Sequence, residues 1–217
     1  MPARLPLFPL DVVLFPGELL PLHIFEPRYR QLLSDCLEGD ERFGITPAGT
    51  PGPGTIGSVA RIRATEPLAD GRSNIVVLGE ERFGVRALLE EGTPYLVATV
   101  ELFEDQAGTA PLPAELAELR RLGGDLRTSL GILADRPGEA PEWADSAELL
   151  SFQVAALAET DIDTRVRLLR GRSTRDRVRT LIEILPDLIT GVQGRAEVHV
   201  RARFNGKGHH GSDLDTG

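Results

Sequence analysis

Few side chains in this 217-residue chain combine a reactive type with a spacing that chemistry can use. Cys36 is the single cysteine, and the histidine nearest to it in sequence is His23. A Cys–His pair is a nucleophile when a base or positive charge stabilises the thiolate. Cys36, however, falls on an apolar stripe, where a thiol serves as a small hydrophobe, so the core reading is preferred. A Ser–Lys dyad or a P-loop would have to recruit Lys207, the one lysine, from Asn205-Gly206-Lys207-Gly208. No Walker glycine pattern precedes it, and a tail residue does not hold a nucleophile in hydrogen-bond reach. Gly52-Pro53-Gly54-Thr55-Ile56-Gly57 matches G-x-G-x-x-G, yet Pro51 and Pro53 remove donors and a strand, not a helix, follows. It reads as a loop. Glu80-Glu81 and Glu90-Glu91 are ordinary solvated pairs among 33 acids, and no G-x-S-x-G elbow occurs. His23 and His199 are isolated and His209-His210 lie in the tail, so no structural metal site is expected. The reading is a non-enzymatic chain with no cofactor and no metal.

The strongest charge feature is the stretch from Arg165 to Arg179, with seven arginines and the one acid Asp176. It carries +6 in a chain of net charge −9, which leaves −15 for the remainder. Such a run suits RNA or an acidic protein surface. It holds no aromatic residue for base stacking, and the net charge repels nucleic acid and anionic membrane. The preferred reading is the solvated faces of two helices joined at Gly171, with nucleic acid disfavoured.

The elements that must position these residues fall into two groups. Leu5–Leu10, Val12–Phe15, Leu19–Ile24, Ser58–Thr65, Asn74–Leu78, Arg82–Leu88 and Tyr95–Phe103 read as short strands. Asp70-Gly71 and Glu91-Gly92 are turn signals, and the missing helical crossovers point to a small barrel. One helix interrupts them: Pro27 opens it, Phe25, Tyr29, Leu32, Leu33, Cys36 and Leu37 form its stripe, and Gly39 stops it. After about Asp105 the period becomes helical, over Leu112–Leu133, from Ser146, over Thr164–Arg170 and onward from a Ser173 cap. Asp135–Pro141 is a Pro/Gly loop. The expected fold is α+β, with a β-barrel-like domain over 1–105, a helical bundle over 106–190 and a disordered tail over 191–217. Val198, Val200, Ala202 and Phe204 alternate as a strand would within that tail.

Composition sets the class. Hydrophobic residues make up 41% and charged residues 26%, as in globular proteins, and no run approaches the roughly 18 apolar residues of a membrane span. Pro2, Pro6, Pro9, Pro16 and Asp11 break the apolar N-terminus, so no secretory signal is read. One cysteine permits no intrachain disulfide, and a cytoplasmic location is expected.

Several segments together resemble the N-terminal domain of Lon proteases, a PUA-like barrel. They are Leu5-Pro6-Leu7-Phe8-Pro9-Leu10, Val13-Leu14-Phe15-Pro16-Gly17 and Leu20-Pro21-Leu22-His23-Ile24-Phe25-Glu26-Pro27-Arg28-Tyr29. Gly57-Ser58-Val59-Ala60, Gly79-Glu80-Glu81-Arg82-Phe83 and Pro94-Tyr95-Leu96-Val97-Ala98 continue the series in the family's order. The helices from Leu112 to Ile189 resemble the bundle that follows this domain. The ATPase and Ser–Lys protease parts of Lon are missing, so the resemblance implies only the recognition of unfolded or extended polypeptide, or of a protein partner. Phe15, Leu19, Leu20, Tyr29, Phe103 and Trp143 are the candidate contacts, with Trp143 expected to seal the joint between domains. Core packing is the commoner fate of such residues. RNA binding through the PUA-like fold and the Arg165–Arg179 run is the alternative reading.

Overall fold

A computed structural model of the chain describes residues 3–136 and 142–206. The elements run β1 (Ala3–Leu10), β2 (Leu19–Ile24), α1 (Pro27–Glu38), β3 (Arg42–Pro47), β4 (Ile56–Pro67), β5 (Ser73–Leu89) and β6 (Leu96–Phe103). Four helices follow: α2 (Pro113–Leu133), α3 (Ala147–Leu157), α4 (Ile162–Arg170) and α5 (Thr174–Gly206).

The six strands form one mixed sheet in the order β2-β5-β4-β3-β1-β6, and β6 also pairs with β5. β1 and β3 run parallel, and the other pairs are antiparallel. Among the described residues β2 is paired along one side only, with β5, so an edge stays open. The expected small barrel is therefore a mixed sheet bent back on itself, because a closed barrel leaves no strand with a free side.

β5 explains the bend. The two strands expected at Asn74–Leu78 and Arg82–Leu88 are one 17-residue strand that changes neighbour along its length. Ser73–Leu78 pairs with β2, whereas Arg82–Leu89 pairs with β6. Gly79 marks the switch. A Cβ there would lie 2.1 Å from the Phe15 carbonyl oxygen, so this glycine serves a close approach and not a turn. Gly17, in contrast, has φ +79, a left-handed turn conformation that favours glycine.

Val12–Phe15 is no strand. It is a loop buried from Val13 onward, with the Phe15 N–H held by the Glu18 carboxylate at 2.8 Å, and it delivers Val13 and Phe15 into the core of the helices. Within the sheet, Phe8, Ile24, Phe43, Ile45, Ile62, Val77 and Tyr95 pack against Tyr29, Leu32, Leu33 and Cys36 of α1. Phe25 and Leu37, expected on that helical stripe, stand 59% and 43% exposed instead. A smaller cluster surrounds Phe83, with Leu7, Val59, Val85 and Val100.

Polar side chains fix the helix starts. The Ser146 hydroxyl accepts the Leu149 N–H, the Asp161 carboxylate accepts that of Thr164, and the Ser173 hydroxyl accepts that of Asp176. Leu119, Leu122, Leu126, Leu150, Phe152, Val178, Leu181, Leu185 and Ile189 close the helical core. α5 continues to Gly206, where disorder from Gly191 was expected. Val192 and Ala196 extend the stripe of Ile189 by further helical turns and are buried, so packing outweighs the glycines. Residues 137–141 of the expected loop, Lys207, His209 and His210 lie outside the described residues.

Candidate functional site

The six candidate residues do not form one surface. Phe15 is fully buried beside Phe152, with the Arg165 guanidinium 4.8 Å from its ring centroid. Tyr29 is buried against Phe8. Trp143 lies against Gly123 of α2, so it belongs to the helical core and not to the joint. Phe103 does sit at the joint, under the guanidinium groups of Arg82 and Arg172. Leu19 and Leu20 share the open-edged β2: Leu19 is 61% exposed, while Leu20 is partly buried against the sheet core.

The outward side chains of β2 make a more coherent surface. Strand alternation turns Leu20, Leu22 and Ile24 inward and leaves Leu19, Pro21 and His23 outside. Phe25 follows, exposed, with its ring stacked on His23 at 6.0 Å. A trough of about 450 Å³ lies alongside, lined in part by Pro21, Val76 and Ala64, which the register places side by side. The next row is polar: His23 Nδ1 lies 2.8 Å from the Asn74 side-chain oxygen, and the Asn74 amide donates to Glu66 at 3.1 Å. Such an edge can accept a further strand through its backbone, with alternate side chains seated on the trough.

The arginine run does something different from either of its expected uses. Arg82 of β5 and Arg177 of α5 are buried, and both contact Asp105, Arg82 at 2.6 Å and Arg177 at 2.5 Å. Arg82 also donates to the carbonyls of Leu169 and Gly171, and Arg177 to that of Gly171 and to the Ser151 hydroxyl. Phe152 lies beneath both guanidinium groups, 3.9 Å from Arg177 and 5.0 Å from Arg82. Desolvation pulls the Arg82 pKa down, while Asp105 opposes the fall. This joint ties the sheet to the carbonyl end of α4. Arg165 is likewise spent, donating to the Val13 and Ala158 carbonyls, and Arg175 and Arg179 both bind Glu115. The Glu115 carboxylate is held at about 2 by the Leu112 N–H and by Arg179.

Nucleophilic chemistry finds no support at Cys36. Burial, with Asp40 and Asp35 nearby, pushes its thiol up to about 12, and the thiol donates to the Arg42 carbonyl at 3.3 Å. Among the described residues, no group of three or more His, Cys, Asp or Glu side chains is placed to hold a metal ion. No helix among them is long and apolar enough to cross a membrane.

Residues 4–187 match the family model described as the ATP-dependent protease La (LON) substrate-binding domain. The chain belongs to this family. Relatives include the Lon protease of Anaeromyxobacter dehalogenans, 28% identical over 85% of this chain, and Lon protease 2 of Myxococcus xanthus, 29% identical over 85%. The chain spans about a quarter of each, 23% and 24% of their lengths. Among solved structures, the Lon N-terminal domain protein from Xanthomonas campestris superposes with a TM-score of 0.65 and 25% identity, covering 84% of this chain and 98% of that one. The N-terminal domain of Mycobacterium avium complex Lon protease shares the fold at a TM-score of 0.66 and 21% identity, covering 85% and 99%.

The family match leaves the joint to be explained residue by residue. Sequence reasoning missed Arg82 and Asp105 there, because charged residues read as solvent-facing. The one available signal was that Arg82 stands inside Gly79-Glu80-Glu81-Arg82-Phe83, one of the segments that carry the resemblance to Lon.

Proposed function

We propose that this Lon substrate-binding-family chain is a non-catalytic recognition module that takes extended polypeptide along the open edge of β2. The observation that carries the reading is the exposed row Leu19, Pro21 and His23, with Phe25 just beyond, on a strand paired along one side only among the described residues. Large apolar side chains in a row beside an unpaired strand edge mark an interaction surface. The family description, a substrate-binding domain, agrees with it. RNA binding gains nothing from the geometry, since five of the seven arginines between 165 and 179 (165, 172, 175, 177 and 179) bind acids or carbonyls of this chain.

Fluorescence anisotropy with a labelled unfolded polypeptide tests the reading. Leu19→Glu and Phe25→Glu are expected to weaken binding about tenfold, as loss of an apolar anchor does. Both positions are exposed, so the unfolding free energy should move by no more than about 0.5 kcal/mol. Unchanged affinity in both variants would remove β2 as the site, and absence of binding to the unfolded chain would remove the function.

A further inference from the structure

A second concavity, of about 380 Å³, lies where β4, β5 and β6 meet the end of α4. Its floor follows from strand register. Ile56 of β4 stands opposite Gly84 of β5, which stands opposite Glu101 of β6. Gly84 has no side chain, so the middle of this row is a dip, bordered by the side chains of Ile56 and Phe103. Three arginines line the same space: Arg86 from β5, Arg170 from the last turn of α4, and Arg172 just beyond it. Glu101 pairs with Arg86. Among the described residues, the Arg172 side chain holds only the Glu104 carbonyl and lies over the Phe103 ring, and Arg170 has no hydrogen-bond or ion-pair partner.

Two positive charges are thus left over an apolar dip, in a chain whose net charge is −9. The carbonyl end of α4 does not neutralise them, because Arg82 and Arg177 already occupy the Leu169 and Gly171 oxygens. We infer that this pocket recognises a polypeptide segment in which an apolar side chain stands beside carboxylates, the apolar group seated over Gly84 and the carboxylates on Arg170 and Arg172. An apolar floor with a charged rim is the ordinary anatomy of an anchoring pocket. The inference rests on the polypeptide-binding reading above and names a substrate class for it.

The test uses two labelled peptides, one with a Leu-Glu-Glu centre and a twin with Leu-Gln-Gln, on the intact chain. The acidic peptide is expected to bind about tenfold more tightly at low salt, an advantage that fades as salt screens the arginines. Arg170→Glu reverses the charge at an exposed position. Gly84→Leu fills the dip, and its Cβ would meet only Ile56 Cδ1, at an ordinary 3.7 Å. Arg170→Glu should abolish the advantage of the acidic peptide while the neutral twin binds as before, and Gly84→Leu should weaken both peptides, with unfolding midpoints confirming the folds. Equal binding of the two peptides to the unaltered chain would overturn the pocket, and a loss with Leu19→Glu in that case would leave the β2 reading standing. Binding of neither peptide would overturn both. An RNA oligomer that displaces the acidic peptide, and loses its own binding in Arg170→Glu, would reassign the pocket to phosphate and overturn the inference.

Discussion

Asp105 holds two buried guanidinium groups at once, and that sets what its loss would cost. Removing one partner of a buried ion pair strands the remaining charge, typically at about 3–5 kcal/mol. Asp105→Ala should fall in that range by urea unfolding, whereas Asp70→Ala, whose pair with Arg72 is exposed and screened by solvent, should cost far less. The pH dependence has a definite sign. Burial alone would raise the Asp105 pKa, but hydrogen bonds from Arg177 and Thr174 outweigh it and hold the value below the ordinary 3.8. A carboxyl depressed in the fold contributes its full stability above the unfolded value and loses it as pH falls through the folded one. The stability gap between the natural chain and Asp105→Asn should therefore be constant near neutrality and narrow below about pH 4, measured by urea midpoints. Gly79→Ala would drive a Cβ into the Phe15 carbonyl, and overpacking of this kind costs about 1–3 kcal/mol. None of these roles was legible in the sequence: Gly79 stood out only as part of a matched segment, and Arg177 looked like one more solvated arginine.

Elements with a clean period were legible. β2 and α1 lie within a residue of their expected spans, since alternation and three-four spacing each leave one face buried. β3 was invisible because its middle residues, Phe43 to Thr46, are all buried, and a strand covered on both faces has no alternation to detect. Val12–Phe15 failed in the opposite direction, since an apolar run with no period fits a buried loop as well as a strand. α5 shows how tertiary contact overrides local signals. Gly191 and Gly194 argue for a stop, yet Val192 and Ala196 bury at the helical spacing. Val192→Asp should free the distal half of α5 and leave the sheet intact. Hydrogen exchange should show lost protection confined to about residues 190–206, the region past the last fully buried leucine.

At the scale of the molecule, the helical core takes Phe15 from the β2 approach loop, and the charge joint draws ligands from β5, α3 and α5. Sheet and bundle should therefore unfold together. Trp143 fluorescence reports the bundle, and the ellipticity of the whole chain reports both parts; their urea midpoints should coincide. Asp105→Ala should separate them, and coincident midpoints in that variant would show that the apolar contacts alone couple the two parts. The order of short matched segments made the family legible before any geometry did, although no single segment was specific. The placement of the six candidate contacts was not legible, because type and hydropathy do not say which apolar residues a fold leaves outside. One consequence of β5 concerns length. Its first half contributes Asn74 and Val76 to the trough beside β2, and its second half contributes Gly84 and Arg86 to the arginine pocket. From Asn74 to Arg86 the strand covers roughly 40 Å at ~3.3 Å per residue. A client long enough to engage both would gain avidity through effective concentration, and one too short would bind at a single end only. The strand would then act as a ruler, favouring long unfolded stretches over short exposed tags.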